Sequence, residues 1–169
     1  EDYQVQIQPT PTLETLRDFG DAPDGFALPV YPTLLANNGA RHTIVPGMFL
    51  GTTIDAETDG QPNITATGDD ISSFDDEDGV TFTSTLIPGS NATVQVVASA
   101  PGYLNAWVDF GRDGSWAQPG DQIFTGTALV AGVNNLTFLV PSGAVGDTNT
   151  YARFRFSSVA ALSFDGPAA

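Results

Sequence analysis

Eighteen glycines, twelve prolines and a scatter of β-branched residues leave no stretch longer than about ten residues with a helical composition. The chain reads instead as short strands joined by turns. Val80 to Leu86 alternates apolar and polar residues with period two, and a Pro88-Gly89 turn follows. Ala92 to Ala98 repeats the pattern, Pro101-Gly102 turns the chain again, and Tyr103 to Asp109 makes the next strand. Three more are expected over 122–127, 135–140 and 151–156. Strands of this length, spaced by Gly/Pro turns, predict an all-β fold, an antiparallel β-sandwich.

Residues 18–79 read differently, as long turn-rich stretches that hold most of the acids. Loops of that length in a compact domain are normally disordered or held by something. Twenty Asp and Glu face five Arg and no Lys, a formal net charge of -15. Such repulsion opposes compaction unless cations offset it, and no basic cluster exists to neutralise the phosphates of a nucleic acid. Cysteine is absent, which removes disulfides and thiolate metal sites. No apolar run approaches the roughly 18 to 20 residues that span a bilayer, so membrane insertion is not expected.

The sharpest candidate for a metal is the loop from Asp109 to Asp121. Asp109 and Asp113 hold its first and fifth places, Gly114 permits a turn, and Asp121 is placed to close a cage. Calcium takes six to eight oxygens, and acids spaced around a glycine turn can wrap it. This is no EF-hand, because Gly111 replaces an oxygen donor, the closing acid comes one residue late, and a strand precedes the loop. Backbone carbonyls, such as those of Ser115 or Ala117, would have to contribute. A solvated hairpin turn is the plain alternative.

Three further sets of acids follow the same logic. Asp69 and Asp70 precede Asp75, Asp76, Glu77 and Asp78; Asp55, Glu57 and Asp59 form another set; Asp18, Asp21 and Asp24 form the last. Oxygen-only sets favour calcium over zinc or copper, though charge runs are usually solvated faces.

No catalytic constellation stands out, and the chain is not expected to be an enzyme. His42 is the single histidine, there is no nucleophile elbow, and no carboxylate pair is singled out for glycoside hydrolysis. Tyr103, Trp107 and Trp116 could present an aromatic platform to a sugar. In a sandwich such residues more often belong to the core.

Taken in order, several motifs resemble the GEVED domain family of large bacterial secreted and surface proteins. They are Asp18-Phe-Gly-Asp-Ala-Pro-Asp24, Gly39-Ala-Arg-His42, Leu50-Gly51, residues 55–62, Gly68-Asp-Asp70, Asp75-Asp-Glu-Asp-Gly79 and residues 107–114. The resemblance implies calcium binding, an extracellular or cell-surface location, and a structural or adhesive setting. It also implies that the signature ending appears here at Glu1-Asp2-Tyr3, as if the unit were cyclically shifted.

Residues 1–8 place Tyr3, Val5 and Ile7 on one side of a strand, and Pro9-Thr10-Pro11-Thr12 follows as a stiff tether. They form either an ordinary first strand or one donated to a neighbouring copy. The expected organisation is an N-terminal strand over 1–8, a linker over 9–17 and a β-sandwich over 18–169. Expected partners are further copies of the chain, joined head to tail as in a fibre or adhesin, with surface glycans as another candidate. The alternative is a carbohydrate-binding module of a secreted enzyme.

Overall fold

The computed structural model describes residues 16–25, 31–68 and 79–168. The assembly residues Tyr3, Val5 and Ile7 lie outside the described residues, as do Asp69, Asp70, Asp75, Asp76, Glu77 and Asp78. Among the described residues the fold is all-β, with β1 (Arg17–Phe19), β2 (Arg41–Thr43), β3 (Val80–Phe82), β4 (Asn91–Ala98), β5 (Gly102–Val108), β6 (Gln122–Leu129), β7 (Gly132–Leu139), β8 (Ala152–Ser157) and β9 (Pro167–Ala168).

Two antiparallel three-stranded sheets, β3-β4-β7 and β6-β5-β8, form a sandwich. The period-two pattern places the core between them. Ala92, Val94, Val96 and Ala98 of β4 meet Leu104, Ala106 and Val108 of β5, with Phe124, Phe138 and Phe156 closing the layer. The β6-β7 hairpin crosses from one sheet to the other at one side. At the opposite side β3 and β8 approach, with the Phe82 and Phe154 rings 5.9 Å apart.

A third layer was not foreseen. β1, β2 and β9 form a small sheet in which β1 and β2 are antiparallel and β2 and β9 parallel. With the loops of residues 16–68 this layer packs on the outer face of β5 and β8. That is why β5 is buried continuously from Leu104 to Val108 instead of alternating. Trp107 on the outer face meets Phe164 and belongs to a second apolar cluster with Ala22, Tyr31 and Trp116.

Two arginines bind the layers together. Arg155 is 1% exposed, and its guanidinium donates to the carbonyls of Ser163, Asp165, Gly166 and Arg41 at 2.6 to 3.2 Å. Arg153 donates to the carbonyls of Pro32 and Phe164 and to Thr33 Oγ1, and lies 4.4 Å from the Trp116 ring centre. The planar fork satisfies several carbonyls at once, which an ammonium group cannot do with the same geometry.

The expected boundaries shift slightly. β3 ends at Phe82 rather than Leu86, and just beyond it the Thr93 amide donates to Ser84 Oγ instead of to a backbone carbonyl. Arg17, counted above in the linker, opens β1 and pairs with Thr43.

Candidate functional site

The Asp109–Asp121 loop leaves β5 and returns into β6. Its turn is tight: Gly114 has φ 82°, and Arg112 also sits in the left-handed region at φ 55°. Asp109 is fully buried. Its Oδ2 accepts from the Tyr31 hydroxyl at 2.7 Å and from Gly114 N at 3.0 Å, and its Oδ1 accepts from Asp113 N at 3.3 Å. Burial, followed by its own hydrogen bond to Asp109 and the Asp109 charge, holds the Tyr31 phenol protonated well above its usual range. Asp113 Oδ1 accepts from Ser115 N, closing a local turn.

Asp121 differs from its neighbours. It is 3% exposed; Oδ1 accepts from Phe110 N at 3.2 Å, while Oδ2 is buried and finds no hydrogen-bond partner among the described residues. Its carboxyl is pushed up to about 6, first by burial and further by the charges of Asp109 and Asp113, against backbone bonds from Phe110 and Gln118. An unpartnered buried carboxylate oxygen between two acids is a fitting ligand for a cation. Asp109 fits less well, since both of its oxygens already hold the turn. Among the described residues no three acidic or histidine side chains are gathered as a metal cluster.

The other acids are set apart from this loop and secure backbone. Asp24 Oδ2 accepts from Thr33 N and Leu34 N, and its Oδ1 from Asn37 Nδ2 at 2.6 Å. Asp21 Oδ2 accepts from Gly68 N, Glu57 Oε2 from Phe19 N, and Asp59 Oδ1 from Leu35 N and Gly60 N. Asp55 is exposed. The long loops are therefore held in large part by carboxylates accepting amide hydrogens, a role for which loop spacing alone carries no signal. Asp18 lies 3.8 Å from His42 Nδ1. Burial, together with Arg155 and Arg153, lowers the imidazole to about 3, so this contact is not an ion pair at neutral pH.

Of the three aromatics expected as a platform, Tyr103 is 38% exposed and the two tryptophans are buried. Trp107 and Trp116 are 3% and 2% exposed. Trp116 is covered by Tyr31, 4.2 Å away between ring centres, and by the Arg153 guanidinium, so it offers no face to a sugar. Sequence reasoning missed Arg153 and Arg155. Their alternation with Phe154 and Phe156 on β8 looks like an ordinary polar face.

These features define an all-β sandwich module with carboxylate-secured loops. Residues 103–168 match the family model of the GEVED domain, so that segment is similar to the GEVED family. The matched segment contains Asp109, Asp113 and Asp121, while the acids of residues 18–59 precede it. No curated protein and no solved structure matches the chain.

Proposed function

We propose that the protein is a structural, calcium-stabilised extracellular module that assembles head to tail with copies of itself by strand donation. The observation that carries this reading is the open side of the sandwich. Its two sheets end there in β3 and β8, and among the described residues neither pairs with a further strand on that side. An unpaired edge is a template for another strand, and a head-to-tail exchange that does not close builds a fibre. The N-terminal alternation of Tyr3, Val5 and Ile7 supplies a strand of suitable pattern.

Calcium enters through Asp121. Its unpartnered Oδ2, with Asp113 and carbonyls of the same turn, would hold the ion, which would relieve the repulsion that raises the Asp121 carboxyl. Bound calcium stabilises the folded state by mass action.

Sedimentation velocity with millimolar calcium, repeated in chelator, tests the whole reading. Head-to-tail polymers in calcium, visible as filaments by electron microscopy, are expected. A clean monomer in calcium overturns the assembly reading, and an unchanged melting midpoint on chelation overturns the metal reading.

A further inference from the structure

All six residues of β8, Ala152 through Ser157, line one crevice of about 220 Å³. Successive side chains of a strand point to opposite faces, so a crevice touching all six runs along the strand's edge. β5 occupies the other edge, in register from Tyr103↔Ser157 to Val108↔Ala152. Met48, Leu50 and Val80, the last at the start of β3, supply apolar lining beside the polar His42, Thr43 and Thr53. Among the described residues, two buried polar atoms of the crevice, Arg155 Nε and His42 Nε2, find no hydrogen-bond partner. A strand laid along β8 pairs its N–H and C=O groups with the free edge of β8.

We propose that this crevice is the acceptor groove for residues 3–7 of a second copy, which add to β8 and turn Tyr3, Val5 and Ile7 toward the Met48–Val80 wall. This rests on the strand-donation reading above and names its acceptor. Charge favours that occupant. Residues 1–16 carry Glu1, Asp2 and Glu14 and no base, whereas three of the five arginines, Arg41, Arg153 and Arg155, gather behind the groove. Pro9 and Pro11 stiffen the tether and disfavour an immediate return to the same molecule. Asp18 and Asp21 also line the crevice, and Asp18 lies close enough to Arg155 to act on it electrostatically.

The chain contains no cysteine, so engineered pairs report contacts without background. Full-length chains carrying one cysteine in place of each residue from Tyr3 to Gln8 are mixed with a Met48→Cys chain and oxidised in calcium. Val45→Cys, at a half-exposed position of the same crevice, serves as a second acceptor should Met48→Cys fold poorly. Disulfide heterodimers from positions 3, 5 and 7 should exceed those from 4, 6 and 8 by about fivefold, following the period of a strand. Equal or absent yields from a chain that still polymerises overturn the groove and leave strand donation standing at another edge. An intramolecular disulfide in a chain carrying both Ile7→Cys and Met48→Cys shows the groove filled by its own molecule and overturns the proposal. A wild-type monomer defeats the assembly reading itself.

Discussion

Asp121 sets burial and like charge against the need of a carboxylate for partners, and this has a pH signature. Its folded value of about 6 lies above the ordinary 3.8, so the native state holds the proton more tightly than the unfolded chain does. The stability this group contributes is full below 3.8 and is lost as pH rises through 6. His42 acts in the opposite sense: its lowered value makes stability fall as pH drops below the ordinary 6.5. Comparison with Asp121→Asn isolates the carboxyl, because His42 is common to both proteins. In chelator, the wild-type melting midpoint should fall relative to the variant between about pH 4 and pH 7. In millimolar calcium the wild type should recover at neutral pH while Asp121→Asn gains little. An equal calcium gain in both proteins would remove Asp121 from the site. The spacing of Asp109, Asp113, Gly114 and Asp121 was readable in the sequence, and so was the turn at Gly114. That Asp109 spends its oxygens on Tyr31 and Gly114 was not, because Tyr31 lies 78 residues away.

At the scale of elements, β5 and β8 do more than close a sandwich. β5 carries a register shift around Asn105, whose Oδ1 accepts from Gly126 N at 3.0 Å. Gly126 sits at φ 55°, and a Cβ there would fall 2.6 Å from the Ala160 carbonyl oxygen, so the irregularity requires glycine. β8 turns Arg153 and Arg155 outward into the third layer, where loop carbonyls converge on them. Arg155→Lys keeps the charge but loses the fork, leaving carbonyls of the 163–166 segment unpaired. The expected cost is about 2–4 kcal/mol in urea denaturation, against within about 0.5 kcal/mol for Arg112→Lys on the exposed loop. Equal effects at the two positions would show that Arg155 is not the clamp. Strand existence was legible from the period-two pattern. The double-faced burial of β5 was not, since nothing in its own sequence says that loops from the first half cover it.

For the whole molecule the governing quantity is the charge of -15. The acids spread over loops, strand ends and the Asp109–Asp121 turn, so their repulsion is general and screened by salt. The melting midpoint should rise with sodium chloride between about 10 mM and 300 mM as the Debye length shortens. Calcium at equal ionic strength should raise it further if specific ligation adds to screening. Coincident curves for the two salts in scanning calorimetry would reduce the calcium effect to screening alone. Assembly belongs to this scale as well, since each added copy brings its own acids and a fibre without bound cations would accumulate repulsion.

The amino-acid sequence by itself determined the all-β class, the positions of β3 to β8 within a few residues, the turns and the acidic loop after β5. Each of these rests on interactions between neighbours in the chain, where period and turn chemistry act. Only the tertiary structure decided that a third layer covers β5 and β8, that buried acids secure amides, and that β8 borders a groove with an unpaired edge. The contact between Arg153 and Thr33 spans 120 residues, and Arg155 reaches Arg41 across 114. Hydrogen-bond complementarity over such separations appears only once the layers have packed, because no local pattern records which carbonyl a buried guanidinium will meet.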